Sequence, residues 1–251
     1  MSPRGDCRDW PREAADGPAN MALDEAMLEH AAEDGTATFR TYEWSVPTLS
    51  LGYFQRLDEA AADPRLRGVP VVRRPTGGGA IWHHHEITYA LALPRSHPLA
   101  GRAGALYEAV HEAIAAALRA AGVPARRRGA GGVAENRRDR PFLCFTGRDP
   151  ADIVIGAAKV VGGAQRRRSG AILQHGSLIL RHSERLPELP GLGDLAAVSA
   201  EPSLWDEHLR ERVLGAIGLR PRPGAPSPAD RDRAAAIERR VYRDPAWTGR
   251  R

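Results

Sequence analysis

Cysteine is scarce in this sequence, and long apolar runs are missing. Two cysteines among 251 residues exclude a disulfide framework and are typical of a protein whose thiols stay reduced. No apolar run approaches the ~20 residues that a membrane-spanning helix needs. The first 17 residues, MSPRGDCRDWPREAADG, are charged and lack the apolar stretch of a secretory signal. We therefore expect a cytoplasmic globular protein without a membrane partner, with Cys7 in a mobile N-terminal tail.

Lysine is scarcer still. Of the 36 lysine and arginine residues, Lys159 is the only lysine, and the net charge is +5. The positive surplus favours an acidic partner, either a nucleic acid or an acidic carrier protein. Arginine serves wherever a positive charge is enough, but only an ammonium group can lose its proton near neutral pH. Lys159 is therefore either a functional residue or a chance surface residue, and its surroundings must decide.

Hydrophobic periodicity predicts an α/β protein. Apolar residues at helical spacing predict two helices, at 18–34 with Asn20 as its cap and at 103–121. Alternating or continuous apolar runs predict strands at 38–44, 48–54, 69–74, 87–94, 142–145, 152–165 and 171–180.

The character of the sequence changes after Arg181. Proline-rich, linker-like stretches surround a short predicted helix at 205–217. We therefore expect residues 1–184 to form the catalytic domain and residues 185–251 to form a small appendage that is helical and partly disordered.

The stretch RRPTGGGAIWHHHEITYAL, residues 73–91, has three adjacent glycines followed by three histidines. No Gly-Lys-Ser/Thr follows the glycines, and GxGxxG is missing, so neither phosphate-binding motif is present. No cysteine or carboxylate lies at a familiar zinc spacing from His83–His85, so we expect no metal. The glycines are then either a backbone cradle for another ligand or a plain flexible hairpin.

Three separate segments resemble the lipoate and octanoate protein ligase/transferase family. They are NMALDEAML, the 73–91 stretch and GAAKVVGGAQRRRSGAILQHGSLIL, in that order over residues 18–181. The last two are similar to the family patterns RR-x-[ST]-GGG-A-x-x-H, K-[IV]-x-G-[SG]-A-Q and [LH]-[QH]-H-G-[ST]. The resemblance implies an α+β fold, with a mixed, mostly antiparallel sheet flanked by helices. Catalytic domains of biotin ligases and class II tRNA synthetases have this fold.

The resemblance also implies substrates and the residues that bind them. An eight-carbon acyl group or lipoate would be delivered to one lysine of a lipoyl domain of a 2-oxoacid dehydrogenase, or of a glycine-cleavage H protein. His175 and Gly176 would shape the pocket of the acyl carbonyl through N–H donors, whereas we expect Asp24 to be a packing or helix-surface residue. The implied substrate-binding residues are Arg74, Thr76, Gly77, Gly78, Gly79, His83, Gly163, His175 and Gly176.

Cys144 decides which chemistry the resemblance favours. It lies in PFLCF, 15 residues before Lys159, which is similar to the octanoyltransferase subgroup whose cysteine precedes the lysine motif. That subgroup takes octanoate from acyl carrier protein and holds it on the cysteine as a thioester, without a cofactor. A nearby ammonium stabilises the thiolate, so Lys159 would supply positive charge and then accept or relay a proton. We therefore predict Cys144 and Lys159 as the catalytic residues.

Two alternatives remain at this point. Gly79 stands where upstream-cysteine transferases often carry arginine, and GGG is commoner in ATP-dependent lipoate ligases, which would use ATP and Mg²⁺ and leave Cys144 as a packing residue. The second alternative is a nucleic-acid-binding protein that uses Arg126–Arg128, Arg137, Arg138 and Arg166–Arg168. Exposed aromatic residues for base stacking are not evident. We therefore expect no nucleic acid and predict that these arginines surround the site entrance and dock acidic carrier domains.

Overall fold

The computed structural model describes residues 5–129 and 141–250. The strands are β1 (Gly5–Ala15), β2 (Ala37–Trp44), β3 (Thr48–Leu51), β4 (Val71–Arg73), β5 (Ile81–His83), β6 (Glu86–Leu93), β7 (Ala125–Arg127), β8 (Ile153–Ile155), β9 (Ala158–Arg168), β10 (Ala171–Ile179) and β11 (Leu219–Pro223). The α-helices are α1 (Gly17–Glu33), α2 (Asp58–Ala61), α3 (Ala103–Ala120), α4 (Leu192–Leu195), α5 (Pro202–Ala216), α6 (Pro228–Ile237) and α7 (Pro245–Thr248). Short 3₁₀ turns lie at Pro64–Leu66 and Cys144–Thr146, and a π-helical turn lies at Glu238–Tyr242.

Eight strands form the main sheet, in the order β11-β1-β2-β6-β10-β9-β8-β7. The pairings of β1 with β11 and β2 are parallel, and the remaining pairings along the sheet are antiparallel. A second sheet has the order β4-β3-β5. The expectation of a mixed, mostly antiparallel sheet flanked by helices is therefore confirmed.

Side chains alternate between the two faces of the main sheet, as the pleat requires. In β2, Phe39 packs into a core layer that α3 and α5 cover, whereas Tyr42 packs into a second layer beneath α1 and α6. Leu106, Val110 and Ile114 supply the apolar stripe of α3 at helical spacing. Helices therefore bury both faces of the central strands, and polar side chains inside the sheet must find protein partners. Within the described residues, none of the helices combines the length and apolar character that a membrane crossing requires.

Helix α1 begins close to its expected position, but its cap is different. Asp16 is the cap, because its carboxylate accepts a hydrogen bond from the Ala19 N–H at 3.1 Å. Asn20 lies inside the helix and is fully buried. Its side-chain amide donates to the carbonyl oxygens of Ala15 and Glu43, so it joins the helix to two neighbouring strands.

The predicted strand at 142–145 is wrong. Only Leu143 forms an isolated bridge, to Ala80, and the chain then turns through the 3₁₀ helix at Cys144–Thr146. The Ala80 N–H donates to Phe142 O, and the Cys144 N–H donates to Ala80 O, each at 2.7 Å. An apolar FLCF run cannot by itself distinguish a strand from a buried turn.

The segments at both ends of the chain are built into the sheet. Gly5–Ala15 form strand β1, and Cys7 is fully buried in it, so the expectation that Cys7 lies in a mobile tail is wrong. Beyond residue 184, β11 pairs with β1, α5 packs against α3, and α6 packs against α1. The division at residue 184 and the partly disordered appendage remain predictions, and the described later helices pack against both faces of the sheet. Buried Trp205 and Tyr242 supply the apolar contacts for this packing.

Candidate active site

Cys144 lies half-buried beside an open cleft of about 560 Å³. This volume is typical of small-molecule sites, which occupy ~300–1,000 Å³. The glycine loop Gly77–Gly79, the Cys144 turn, Lys159 and the 147–152 segment line it. The two predicted catalytic residues therefore share one cavity wall with the triple glycine.

Lys159 contacts Cys144 directly. Its Nζ lies 3.4 Å from Cys144 Sγ and donates to the Cys144 carbonyl oxygen at 3.1 Å. The Lys159 side chain comes from β9, where one extra residue opposes β8 between Lys159 and Val161. Such a bulge redirects side chains next to a site. A Cβ on Gly162 would come within 2.7 Å of Lys159 Cε, so the glycine after the bulge makes room for the lysine stem.

Asp152 forms a buried ion pair with Lys159, with Oδ1 2.7 Å from Nζ. Burial alone would lower the pKa of Lys159, but Cys144 and Asp152 outweigh burial and raise that pKa above its ordinary value. Burial also raises the pKa of Asp152, against the opposing effect of Lys159. The surroundings of Lys159 favour its charged form, which suits stabilisation of a thiolate better than uptake of a proton. Sequence reasoning missed Asp152; the available signal was an acidic residue directly before the apolar run IVI.

Arg74 supports the glycine loop from beneath. It is 2% exposed, and its guanidinium donates to the carbonyl oxygens of Gly77 and Gly79 at 2.7 Å each. Burial lowers the pKa of Arg74 to about 10. Gly78 has a φ of +95°, a conformation that favours glycine. The structure therefore uses Arg74 to hold the loop, and its predicted substrate contact remains a prediction.

Gly79 has little room for a side chain. A Cβ there would lie 3.0 Å from the Cys144 nitrogen and 3.0 Å from the Phe142 carbonyl oxygen. Close approach of the two backbones permits the bridge between Ala80 and Leu143 that places the Cys144 turn. The third glycine is thus compatible with a reactive Cys144, because it fixes where Cys144 lies.

Thr76, His175 and Asp24 form a second, fully interior arrangement. The Thr76 hydroxyl lies 2.7 Å from His175 Nε2, and His175 Nδ1 lies 2.9 Å from Asp24 Oδ2. Asp24 is fully buried and also pairs with Arg40 at 2.7 Å. Burial alone would raise the pKa of Asp24, but Arg40 and His175 lower it. Asp24 therefore does more than fill the packing role expected for it, since it also orients His175.

The roles of His175 and Gly176 as N–H donors to an acyl carbonyl remain predictions. The Asp24 carboxylate accepts from His175 Nδ1, so in the neutral ring Nε2 has a lone pair and accepts from Thr76. Gly176 pairs with strands on both sides within the sheet. A Cβ on it would lie 2.6 Å from Gly162 O, so Gly176 serves close strand packing, and the sequence motif alone could not separate that role from ligand binding.

His83 lies at an interior polar contact and is 3% exposed. Nε2 lies 2.7 Å from Ser50 Oγ, Nδ1 lies 2.7 Å from Glu86 Oε1, and the ring stacks on Trp44. Burial lowers the pKa of His83 although Glu86 opposes the effect. His83 also borders a small cavity of about 20 Å³ that shares Gly163 with the large cleft. Among the described residues no cluster of three or more His, Cys, Asp or Glu could hold a metal ion.

Gly163 joins the cleft to helix α3. Its carbonyl oxygen accepts from the Tyr107 hydroxyl at 3.0 Å, and its N–H lies 3.1 Å from the same oxygen. His111, one turn along α3, is fully buried and donates from Nδ1 to Ala151 O at 2.6 Å. Burial lowers the pKa of His111 to about 4. Neither α3 residue was predicted as part of the site, because both fall among the apolar positions of an amphipathic helix.

The arginines assigned to the entrance are only partly described. Arg137 and Arg138 lie outside the described residues. Arg168 forms an ion pair with Glu29 at 2.7 Å. Arg126 and Arg166 form no ion pair with a carboxylate in the two described ranges, 5–129 and 141–250. Arg166 lies over the Tyr53 ring at 5.2 Å.

Comparison with known proteins identifies related chains. The family model for the lipoyl protein ligase A/B catalytic domain matches residues 16–185. Octanoyltransferase LipM of Moorella thermoacetica is 40% identical over 200 residues, which cover 78% of this chain and 68% of that protein. Octanoyltransferase LipM of Kyrpidia tusciae is 32% identical over 259 residues, which cover 92% of this chain and 94% of that protein.

The fold also matches solved structures. A bipartite lipoate protein ligase from Thermoplasma acidophilum, studied with its E2 lipoyl domain, superposes with a TM-score of 0.71. The match covers 96% of both chains at 18% sequence identity. At this identity the likeness concerns the fold alone.

Proposed function

This chain belongs to the lipoyl protein ligase A/B catalytic domain family, and from that membership we propose that it transfers octanoyl groups to a lysine of a lipoyl protein through a thioester on Cys144. Its relatives at 32–40% identity are octanoyltransferases. The observation that carries the mechanism is the distance of 3.4 Å between Cys144 Sγ and Lys159 Nζ at the wall of the large cleft. A thiolate is a strong nucleophile, and its thioester stays reactive toward an amine.

The first half-reaction loads the enzyme. The Cys144 thiol loses its proton to solvent, and the Lys159 ammonium stabilises the resulting thiolate. The thiolate attacks the carbonyl carbon of the donor thioester, a new C–S bond forms, and the bond to the donor sulfur breaks. The donor leaves as a thiolate and takes a proton from solvent. The octanoyl group has then been transferred from the donor sulfur to Cys144 Sγ.

The second half-reaction unloads it. The neutral amine of the acceptor lysine attacks the Cys144 thioester, the C–S bond breaks, and an amide forms as the nitrogen releases one proton to solvent. The sulfur leaves as a thiolate beside Lys159, where the ammonium again compensates its charge. In this scheme Lys159 remains charged throughout, in agreement with the direction of its pKa shift.

Intact-mass measurement after mixing the protein with octanoyl-acyl carrier protein, without ATP, tests the mechanism. We expect one octanoyl group on the wild-type protein and none on Cys144→Ala, with the adduct lost when a lipoyl domain is added. Cys7→Ala is the matched control, because Cys7 is fully buried in the sheet away from the cleft, and it should load like the wild type. Lipoyl-domain modification that requires ATP and persists in Cys144→Ala would instead establish the ligase alternative.

Acyl carrier protein is the proposed donor, and its acidic surface would dock on arginines at the entrance. Arg148 lines the cleft itself, and Arg126 is exposed on the edge strand β7. We expect loading from the carrier protein to slow as ionic strength rises, because salt screens exposed charges over ~10 Å at 0.1 M. Octanoyl-N-acetylcysteamine, a neutral donor, should show no such dependence. Equal salt dependence for both donors would contradict docking through charge.

A further inference from the structure

Asp152 has a place in the site that the proposed mechanism leaves unexplained. Its carboxylate is 1% exposed and lies 2.7 Å from the nitrogen of the protein's single lysine. Two explanations are available for a buried ion pair of this kind. It either serves the stability of the fold, or it fixes the position and the charge of Lys159 at the sulfur.

Three separate elements hold Asp152 in place. Its Oδ2 accepts from the Asp149 N–H at 2.8 Å, and its own carbonyl oxygen accepts from the Arg128 N–H at 2.8 Å. The preceding carbonyl, of Ala151, accepts from His111 Nδ1 on helix α3 at 2.6 Å. A turn, the residue that follows the edge strand β7 and a long helix therefore restrict the position of this one carboxylate.

The set of contacts indicates positioning. The same Lys159 Nζ contacts Asp152 Oδ1 at 2.7 Å, Cys144 O at 3.1 Å and Cys144 Sγ at 3.4 Å. An unpaired lysine on a flexible stem would lose entropy on being held at one sulfur, and burial would favour its neutral form. A fixed carboxylate offsets both effects, because it holds the ammonium in one place and keeps it charged.

We propose that Asp152 is a positioning residue of the acyl-transfer site, which holds Lys159 as an ammonium directed at Cys144 Sγ. Its effect on the reaction passes through Lys159, and Asp152 contacts no reacting atom. Only the rate measurement that tests this proposal rests on the proposed octanoyl transfer. The charge state of Lys159 can be measured without any substrate.

The single lysine makes that measurement direct. Protein labelled with [¹⁵Nζ]-lysine, without a lysine-containing tag, gives one side-chain nitrogen resonance, and its shift against pH reports the pKa of Lys159 alone. We expect the midpoint to fall by about one unit or more in Asp152→Asn, as on loss of a neighbouring opposite charge. Asp58→Asn, an exposed aspartate paired with exposed Arg56, is the matched control and should leave the midpoint unchanged.

The loading assay supplies the second readout. We expect Asp152→Asn to load from octanoyl carrier protein roughly 10²-fold more slowly, the order of loss that follows ~1 Å misplacement of a reacting group. The KM for the carrier should stay near the wild-type value, and the alkaline limb of the pH–rate profile should move to lower pH with the Lys159 midpoint. Asp152→Glu keeps the charge on a longer stem and should restore part of both properties.

An unchanged Lys159 midpoint together with a wild-type loading rate in Asp152→Asn would overturn the proposal. If Asp152→Asn does not fold, Asp152→Glu carries the test, and a wild-type rate in that variant would overturn it equally. If the wild type forms no octanoyl adduct, the proposed function fails, while the resonance of Lys159 still decides whether Asp152 controls its charge.

Discussion

Two arrangements of three side chains are built around Lys159 of β9 and His175 of β10, which are neighbouring strands, and they differ in access and in charge balance. Asp152, Lys159 and Cys144 end in a sulfur at an open cleft, whereas Asp24, His175 and Thr76 end in a hydroxyl that is 1% exposed. In each arrangement a buried carboxylate contacts a basic group, and the basic group contacts a weakly acidic group. A carboxylate that orients a base is therefore insufficient for reactivity, because the terminal atom must also reach a substrate.

The charges of the two arrangements are compensated differently. Asp24 has Arg40 at 2.7 Å, the Tyr42 hydroxyl at 2.9 Å and His175, so its negative charge is neutralised inside the core. Asp152 has Lys159 as its ion-pair partner among the described residues, and Lys159 also faces Cys144. The positive charge at the cleft is thus available to a thiolate, whereas the charges of the interior arrangement compensate one another within the core.

Asp24→Asn gives the largest expected effect on stability. The substitution leaves the Arg40 guanidinium buried without its counter-charge, and breaking a buried pair in this way costs ~3–5 kcal/mol. Urea unfolding at pH 7 measures the loss, with exposed Asp58→Asn as the control that should stay near the wild type. A loss under about 1 kcal/mol, the range of exposed pairs, would contradict a charged interior role for Asp24.

The pH dependence of unfolding separates the charge of Asp24 from its shape. Arg40 and His175 outweigh burial and hold the pKa of Asp24 below its ordinary value, so its stabilising contribution is present above ~4 and is lost as pH falls through the lowered pKa. We expect the free energy of unfolding of the wild type to fall in that acidic range. Asp24→Asn should lack this part of the fall. If the free energy of unfolding fell in parallel with pH for the two proteins, groups other than Asp24 would cause the acid sensitivity.

Gly79→Ala tests the cleft arrangement through its backbone. The added Cβ would lie 3.0 Å from both Phe142 O and Cys144 N, so the bridge that places the Cys144 turn must shift. We expect octanoyl loading to slow as Sγ moves away from Lys159, by less than the ~10²-fold that follows a ~1 Å misplacement, with the interior arrangement unaffected.

Stopped-flow or quench loading assays measure this effect, and denaturant unfolding should show a smaller change than in Asp24→Asn. Gly215→Ala is the matched control, because a Cβ at that position in α5 meets no atom within 4 Å. Wild-type loading by Gly79→Ala would mean that the position of the Cys144 turn does not depend on the glycine, and that arginine at this position could be accommodated.

Much of the cleft could be predicted from the sequence, because its residues lie in contiguous motifs. Cys144 and Lys159 were both identified, and the structure brings them together. Asp152 and His111 were missed because their contacts depend on how a turn and a helix meet in space. The bulge at Lys159 was also not predictable, since it depends on the register of β8 against β9.

The fold shows the same difference between features encoded locally in the sequence and features that depend on distant contacts. Periodicity located α1, α3 and the central strands, where apolar residues alternate regularly. It failed at β1, whose residues GDCRDWPREAA are half charged and pair with β11 from the far end of the chain. Local sequence holds no signal for such distant partners. The helix predicted at 205–217 is α5, but linker-like composition around it gave no sign that it packs against α3 with Trp205 buried.

Thr76→Val tests the comparison at its smallest expected effect. The change keeps the shape of the side chain, removes the hydroxyl that lies 2.7 Å from His175 Nε2, and should cost about 1 kcal/mol of stability. Loading should slow less than about tenfold, since no bond to the acyl group passes through this oxygen in the proposed mechanism, and Thr76→Ser should match the wild type. If Thr76→Val instead abolished loading as completely as Cys144→Ala, the interior hydroxyl would take part in the reaction itself. Burial of the Thr76 hydroxyl would then not explain a difference in reactivity between the two arrangements. The cleft would have to open toward His175 during each turnover.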